Sequence, residues 1–253
     1  MTRRVFVAIA VAAVVGRPAA QAPAADWRAV VEGIERGTLA DDGDAIRQGR
    51  TELLRLLAAG GAPADAAMIR YGIAYAGWRL STNPMIPRAE QDGLLHDAEA
   101  HLTAALKADA TFAEAHVLLS NVYGMMIAHS PMKGMFLGAR ASGAVDKALA
   151  LEPGNPRALV CKGVSKFNTP AMFGGSDKEA ERLLRQAVER LAAEPADKPF
   201  PNWGRFDVHA WLGQVLARRG DKAGAMAEYT AALAVAPKSG WVKYVLIPAL
   251  DRK

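Results

Sequence analysis

Residues 206–239, FDVHAWLGQVLARRGDKAGAMAEYTAALAVAPKS, read as two helices joined by a tight turn. Leu212 and Gly213 sit in the first helix and Gly220-Asp221 makes the turn. In the second helix Ala225, Tyr229 and Ala232 follow at spacings of four and three, which puts them on one face. Pro237 ends that helix because it cannot donate the next backbone hydrogen bond. Small residues at Gly213, Ala225 and Ala232 let the two helices approach closely, and a bulkier side chain there would cost about 1–3 kcal/mol.

This order and spacing, complete over 34 residues, resembles the tetratricopeptide repeat. Upstream copies keep the pattern. An alanine pair seven residues apart recurs as Ala98/Ala105, Ala141/Ala148, Ala180/Ala187 and Ala225/Ala232. Between each pair lies one larger residue: Leu102, Val145, Leu184 or Tyr229. The matching small residue of the first helix is read as Gly72, Ser120, Gly163 and Gly213. The closing proline is present at Pro153 and Pro237 and replaced by Ala110 and Ala192. The resemblance implies an all-α right-handed superhelix with four units over about 65–239, preceded by capping helices over about 25–60 and closed by a cap at 240–253. Successive pairs start 43, 39 and 45 residues apart, so each unit carries an insertion: 81–92, 129–138, 168–175 and 193–205. In the final cap Trp241, Tyr244, Val245 and Pro248 are expected to close the last open face, and Ser176 with Glu179 reads as a capping box.

The chain begins differently. Thr2-Arg3-Arg4 precedes 11 apolar residues at 5–15 and a small-residue zone at 18–25 in which Ala22-Pro23-Ala24 fits a cleavage site. Eleven residues are too few to span a bilayer, which needs about 20. Residues 1–24 are therefore read as a secretory signal peptide and 25–253 as the repeat domain, periplasmic or secreted, with no membrane span once the leader is removed. Arg3-Arg4-Val5-Phe6 also resembles a twin-arginine export signal. The leader takes three of the 31 basic residues and none of the 26 acidic ones, so the formal net charge falls from +5 to +2. No basic stripe with interleaved aromatics points to nucleic acid. A single cysteine, Cys161, excludes an internal disulfide framework and reads as a buried thiol.

The sequence carries no G-x-S-x-G, H-E-x-x-H, P-loop or C-x-x-C pattern, so it points to binding and not to catalysis, and to no cofactor. Gly174-Gly175-Ser176 reads as a turn opening a helix. Lys162 and Lys166 stand at two first-helix positions where the repeat buries apolar residues. Two readings stay open for them: stems that snorkel to solvent or pair with a nearby acid, and a cationic spot for a small acidic ligand. Met125, Met126, His129, Met132 and Met135 fall within eleven residues. Such ligands suit Cu(I), although a methionine stripe is more ordinarily core filler or an adaptable contact surface.

The resemblance also implies which residues line the concave groove. In the second unit these are Glu114, Val117, Asn121, Gly124 and Met125. In the third they are Arg157, Val160, Val164, Phe167 and Asn168, with Lys162 and Lys166 beside them. In the fourth they are Asp207, Ala210, Gln214, Ala217 and Arg218. Asn121 fits one position of the family's carboxylate clamp, but Val117 and Cys161 stand where a lysine and an arginine are needed, so that clamp is absent. Segments 131–136, 170–175, 201–204 and 240–244 resemble exported bacterial repeat proteins. The expectation is an exported scaffold that holds a protein or peptide in its groove. The alternatives are a periplasmic carrier of a small acidic ligand and, third, copper handling through the methionines.

Overall fold

Alternating long helices and short connections build the whole of the described chain. The structure is a computed structural model that describes residues 26–60, 62–195 and 197–251; the signal peptide expected at 1–24 lies outside them. Helices α1 (Trp27–Leu39) and α2 (Gly43–Ala59) come first. Four pairs follow: α3 (Pro63–Ser81) with α4 (Arg88–Ala108), α5 (Ala113–His129) with α6 (Gly134–Leu151), α7 (Pro156–Asn168) with α8 (Asp177–Ala192), and α9 (Arg205–Arg218) with α10 (Lys222–Val235). Each pair packs along its own length, and α3, α5, α7 and α9 touch in series, so they form the inner layer while α4, α6, α8 and α10 form the outer one. Helices α1 and α2 pack on α3 and cap the first unit. Short 3₁₀ turns at Pro131–Lys133 and Ala171–Phe173 fill two of the connections. Among the described residues there are helices and no strands.

Local chemistry sets the helix starts. Asp42, Asn155, Ser176 and Asp221 each accept a hydrogen bond from the backbone N–H three residues on, at 2.8–3.2 Å. Ser176 and Glu179 complete only half of a capping box: the Glu179 carboxylate takes Arg182 at 2.7 Å, and the Ser176 N–H donates to the Lys166 carbonyl.

The repeat register is visible in the packing. Leu102, Val145, Leu184 and Tyr229 are fully buried between the helices of their pairs. A Cβ on Gly213 would stand 2.3 Å from the Tyr229 ring, and one on Gly163 2.8 Å from Leu184. The Ser120 hydroxyl fills the same place in the second unit by donating to the Ala141 carbonyl at 2.8 Å. The first unit differs from expectation. A Cβ on Gly72 would meet Val31 and Leu53 at 2.8 and 2.9 Å, so Gly72 admits α1 and α2, not α4. Gly77 is the glycine that faces α4, 3.2 Å from the Leu94 carbonyl by the same measure. The longer α3 and α4 carry the contact further along α3 than the repeat spacing suggests.

The C-terminal cap also turns a different face. Residues Val242–Leu246 form a wide helical turn continued by α11 (Ile247–Ala249), and Val242, Leu246 and Leu250, four apart, are the ones buried. Trp241 packs edge-on against Phe206 and Trp211, while Tyr244 and Val245 stand exposed. The segment is helical, so residues 244 and 245 fall on the opposite side from the buried stripe.

Candidate functional site

The inner layer presents the surface where this architecture would receive a partner, and the longest connection, 193–204, crosses part of it. Trp203 is 1 % exposed and donates its indole N–H to the Tyr71 hydroxyl on α3 at 2.8 Å. Phe200 lies 5.4 Å from the rings of both Tyr71 and Tyr75, and Trp203 5.5 Å from Trp78. Phe112 joins the cluster against Tyr71 at 5.3 Å. An aromatic plug from this molecule's own chain therefore fills the part of the groove next to α3.

A polar network locks that plug in place. Arg157 is buried on α7; its Nε donates to Glu114 on α5 at 2.6 Å, and its two terminal nitrogens take Glu194 at 2.5 and 3.1 Å. Its Nη1 also reaches the Trp203 carbonyl at 3.1 Å. Burial alone would lower the Arg157 pKa, but Glu194 and Glu114 outweigh it and hold the guanidinium charged. Asn155 bonds both Glu114 and Glu152, at 2.9 and 2.8 Å. Asp207 on α9 forms a two-pronged bond with Arg79 on α3 at 2.7 and 2.8 Å, and Arg79 lies over the Trp78 ring at 4.4 Å. Glu114, Arg157 and Asp207 hold the same position in three successive units. Tyr75 donates to Glu35, whose carboxyl burial pushes above the usual range against the pull of Arg79. Lys198 donates to the Pro201 carbonyl, and burial, then Arg157, pulls its pKa down. A cavity of about 190 Å³ is lined by Glu35, Asn202 and Phe206 beside this connection. A wider recess is lined by Glu114, Glu152 and Lys198.

The predicted groove residues therefore fall into two sets. Glu114 and Arg157 belong to the buried network and line the recess beside Glu152 and Lys198. Asn121, Met125, Phe167 and Gln214 are partly exposed, and Asn168 and Arg218 exposed, toward the C-terminal ends of α5, α7 and α9. There Phe167 lies 6.1 Å from Trp211, and the Arg218 guanidinium stacks 3.5 Å over Phe167 while its Nε donates to Asp177 at 2.9 Å. The Asn168 side chain donates to the Val164 carbonyl at 3.0 Å, and Gln214 to the Ala210 carbonyl at 3.4 Å. Lys162 bonds Asp146 on α6 at 2.7 Å, and Lys166 donates to the Gly174 carbonyl at 2.9 Å. Each lysine thus answers to its own neighbour. Phe200, Trp203 and Arg79 are absent from the sequence-based set; the available sign was a pair of aromatics in a proline-rich insertion.

The other candidate features disperse. Met126 is buried, Met125 packs on the core, His129 bonds Asp92 at 2.7 Å, and Met132 and Met135 project outward, so the five do not converge. Cys161 is buried, and burial pushes its thiol up to about 11. In the 174–176 turn the Gly175 and Ser176 N–H groups are bonded to the Pro170 and Lys166 carbonyls.

No protein-family model and no curated protein matches the chain. Solved structures do. The thermophilic tetratricopeptide-repeat protein TTC0263 of Thermus thermophilus is 18 % identical, with a TM-score of 0.61 over 89 % of this chain and 99 % of its own. HusA, a haemophore from Porphyromonas gingivalis, is 24 % identical, with a TM-score of 0.64 over 80 % of this chain and 96 % of its own. At these identities the likeness speaks for architecture, and it agrees with the four helix pairs and their small-residue contacts: the chain has the tetratricopeptide-repeat fold.

Proposed function

We propose that this protein is an exported binding scaffold that holds a protein partner on the open half of its inner face and does no chemistry of its own. The observation that carries this reading is the division of that face. One half is closed by the 193–204 connection and its ion pairs, while the ends of α5, α7 and α9 leave Met125, Phe167, Asn168 and Arg218 within reach of solvent. A surface already held in shape loses little ordering entropy on binding. The leader at 1–24 supports export, and helix-repeat solenoids commonly use such extended inner surfaces for recognition.

The test is native mass spectrometry of the mature protein gently purified from the exported fraction of its own host. A protein or peptide adduct is the expected result, and a bare protein at every stage of purification would count against a stable scaffold. A second reading, a small-ligand carrier, draws on HusA, which is called a haemophore and shares the fold. Exposed Met and Phe side chains favour an apolar cargo, whereas Lys162 and Lys166 are both engaged within the protein and offer no ready anion site. A small-molecule mass in the same spectrum would favour the carrier; a copper mass would point back to the methionines.

A further inference from the structure

The connections inside the first three helix pairs share one property that folding does not explain. Each joins the C-terminal end of an inner helix to an outer helix, so stacking the pairs sets the three side by side along one edge. A bond between Asp92 and His129 ties the first to the second, and Arg88 and Lys133 both act on the Asp92 carboxylate. Each connection, in the second with the first turn of α6, raises apolar side chains into solvent: Met85, then Met132, Met135 and Phe136, then Met172 and Phe173, all between 72 and 87 % exposed. A typical core would have buried them, and isolated exposed residues would need no explanation, but six on three neighbouring turns form a patch. The corresponding turn of the fourth unit, Arg219-Gly220-Asp221, has none.

The charges around this patch are one-sided. Every carboxylate on the three connections and their flanking helix ends is engaged: Glu90 with Arg47, Asp92 with His129, Asp177 with Arg218 and Glu179 with Arg182. Arg88, Lys133 and Lys178 have no carboxylate within salt-bridge distance among the described residues, and Lys166 is held by the Gly174 carbonyl. The edge is thus apolar at its tips, with cations between them that make no direct ion pair. Four of the six apolar residues are methionines, whose flexible, polarisable side chains adapt to an irregular apolar helix face. Interfacial membrane anchors combine Lys and Arg with Trp, Phe and Leu, and the six exposed residues here include neither Trp nor Leu.

We infer that this edge docks an amphipathic helix of a partner protein, with its apolar face on the methionines and phenylalanines and an acidic face toward Lys133 and the other cations. This inference rests on the scaffold reading and names the chemistry of its partner. The test measures fluorescence anisotropy of the full mature protein with three probes: an 18-residue designed peptide with leucines on one helical face and glutamates on the other, the same peptide with lysines in place of glutamates, and phosphatidylglycerol vesicles. The acidic peptide is expected to bind at least tenfold more tightly than the basic one. The binding should weaken tenfold or more in the Phe136→Ser, Phe173→Ser double variant and severalfold in Lys133→Glu. Phe136 and Phe173 are exposed and Lys133 half-exposed, and circular dichroism verifies that the fold is unchanged. Equal affinity for the two peptides, or binding to vesicles alone, overturns the inference. If the host partner remains bound to the double variant, the scaffold reading stands and this edge is not its site; if no partner is bound by the unaltered protein, the scaffold reading fails first.

Discussion

At Gly213 one methyl group decides whether two helices meet. Its Cβ would stand 2.3 Å from the Tyr229 ring, which is itself buried, so the ring has nowhere to retreat. Gly213→Ala is therefore expected to destabilise by about 1–3 kcal/mol, despite alanine's better helix propensity, and chemical denaturation would measure it. Glu35 gives a second prediction. Its carboxyl, raised above the usual value by burial, is neutral in both folded and unfolded chains at low pH. As pH rises, the unfolded chain releases that proton first, so this group's contribution to stability is lost on passing through the folded pKa. Glu35→Gln, which still accepts from Tyr75, should raise the melting temperature at pH 7 and change it little near pH 4. At this scale the sequence was most legible where the repeat motif dictates size, as at Gly163 and Gly213. It misled at Gly72, because the unit spacing does not say which neighbouring helix a small residue admits.

Among the elements, the 193–204 connection carries most of what distinguishes this repeat protein from a plain stack. Trp203→Ala would open a cavity at the centre of the aromatic cluster and strand the Tyr71 hydroxyl, costing about 3–5 kcal/mol. Arg157→Met should cost a similar amount for another reason: it leaves Glu114 buried without its cation and Glu194 with Lys198 alone at 3.9 Å. Adding Glu114→Gln and Glu194→Gln to Arg157→Met should return part of that loss, which thermal melts of the two variants would show. The insertion itself could be located by counting residues between alanine pairs. Its destination could not, since nothing in a loop sequence specifies that Trp203 bonds a tyrosine 132 residues earlier. The two lysines illustrate the same limit: their departure from the motif was plain, while Asp146 and the Gly174 carbonyl as partners depend on how α6 and the following turn pack.

For the whole molecule, the consequence is a solenoid whose inner surface is half filled by itself. The ends also approach each other: the Gly240 N–H donates to Asp41 at 3.2 Å, across 199 residues, and Arg79 reaches Asp207 across 128. The fold class and the four units were readable from the recurring alanine pairs and their resemblance to the tetratricopeptide repeat, although the first unit places its close contact at Gly77. The division of the groove was not, because it arises from long-range pairing between an insertion and the first inner helix. The proposal that a partner occupies the remaining half is tested most directly by site-specific photocross-linking in the native host. A benzophenone amino acid would replace Phe167 on the open half, Phe136 on the apolar edge, or Thr103, which is exposed on the outer helix α4. The expected result is the same protein adduct from positions 167 and 136, and none from position 103. An adduct from position 103 with none from 167 would contradict it.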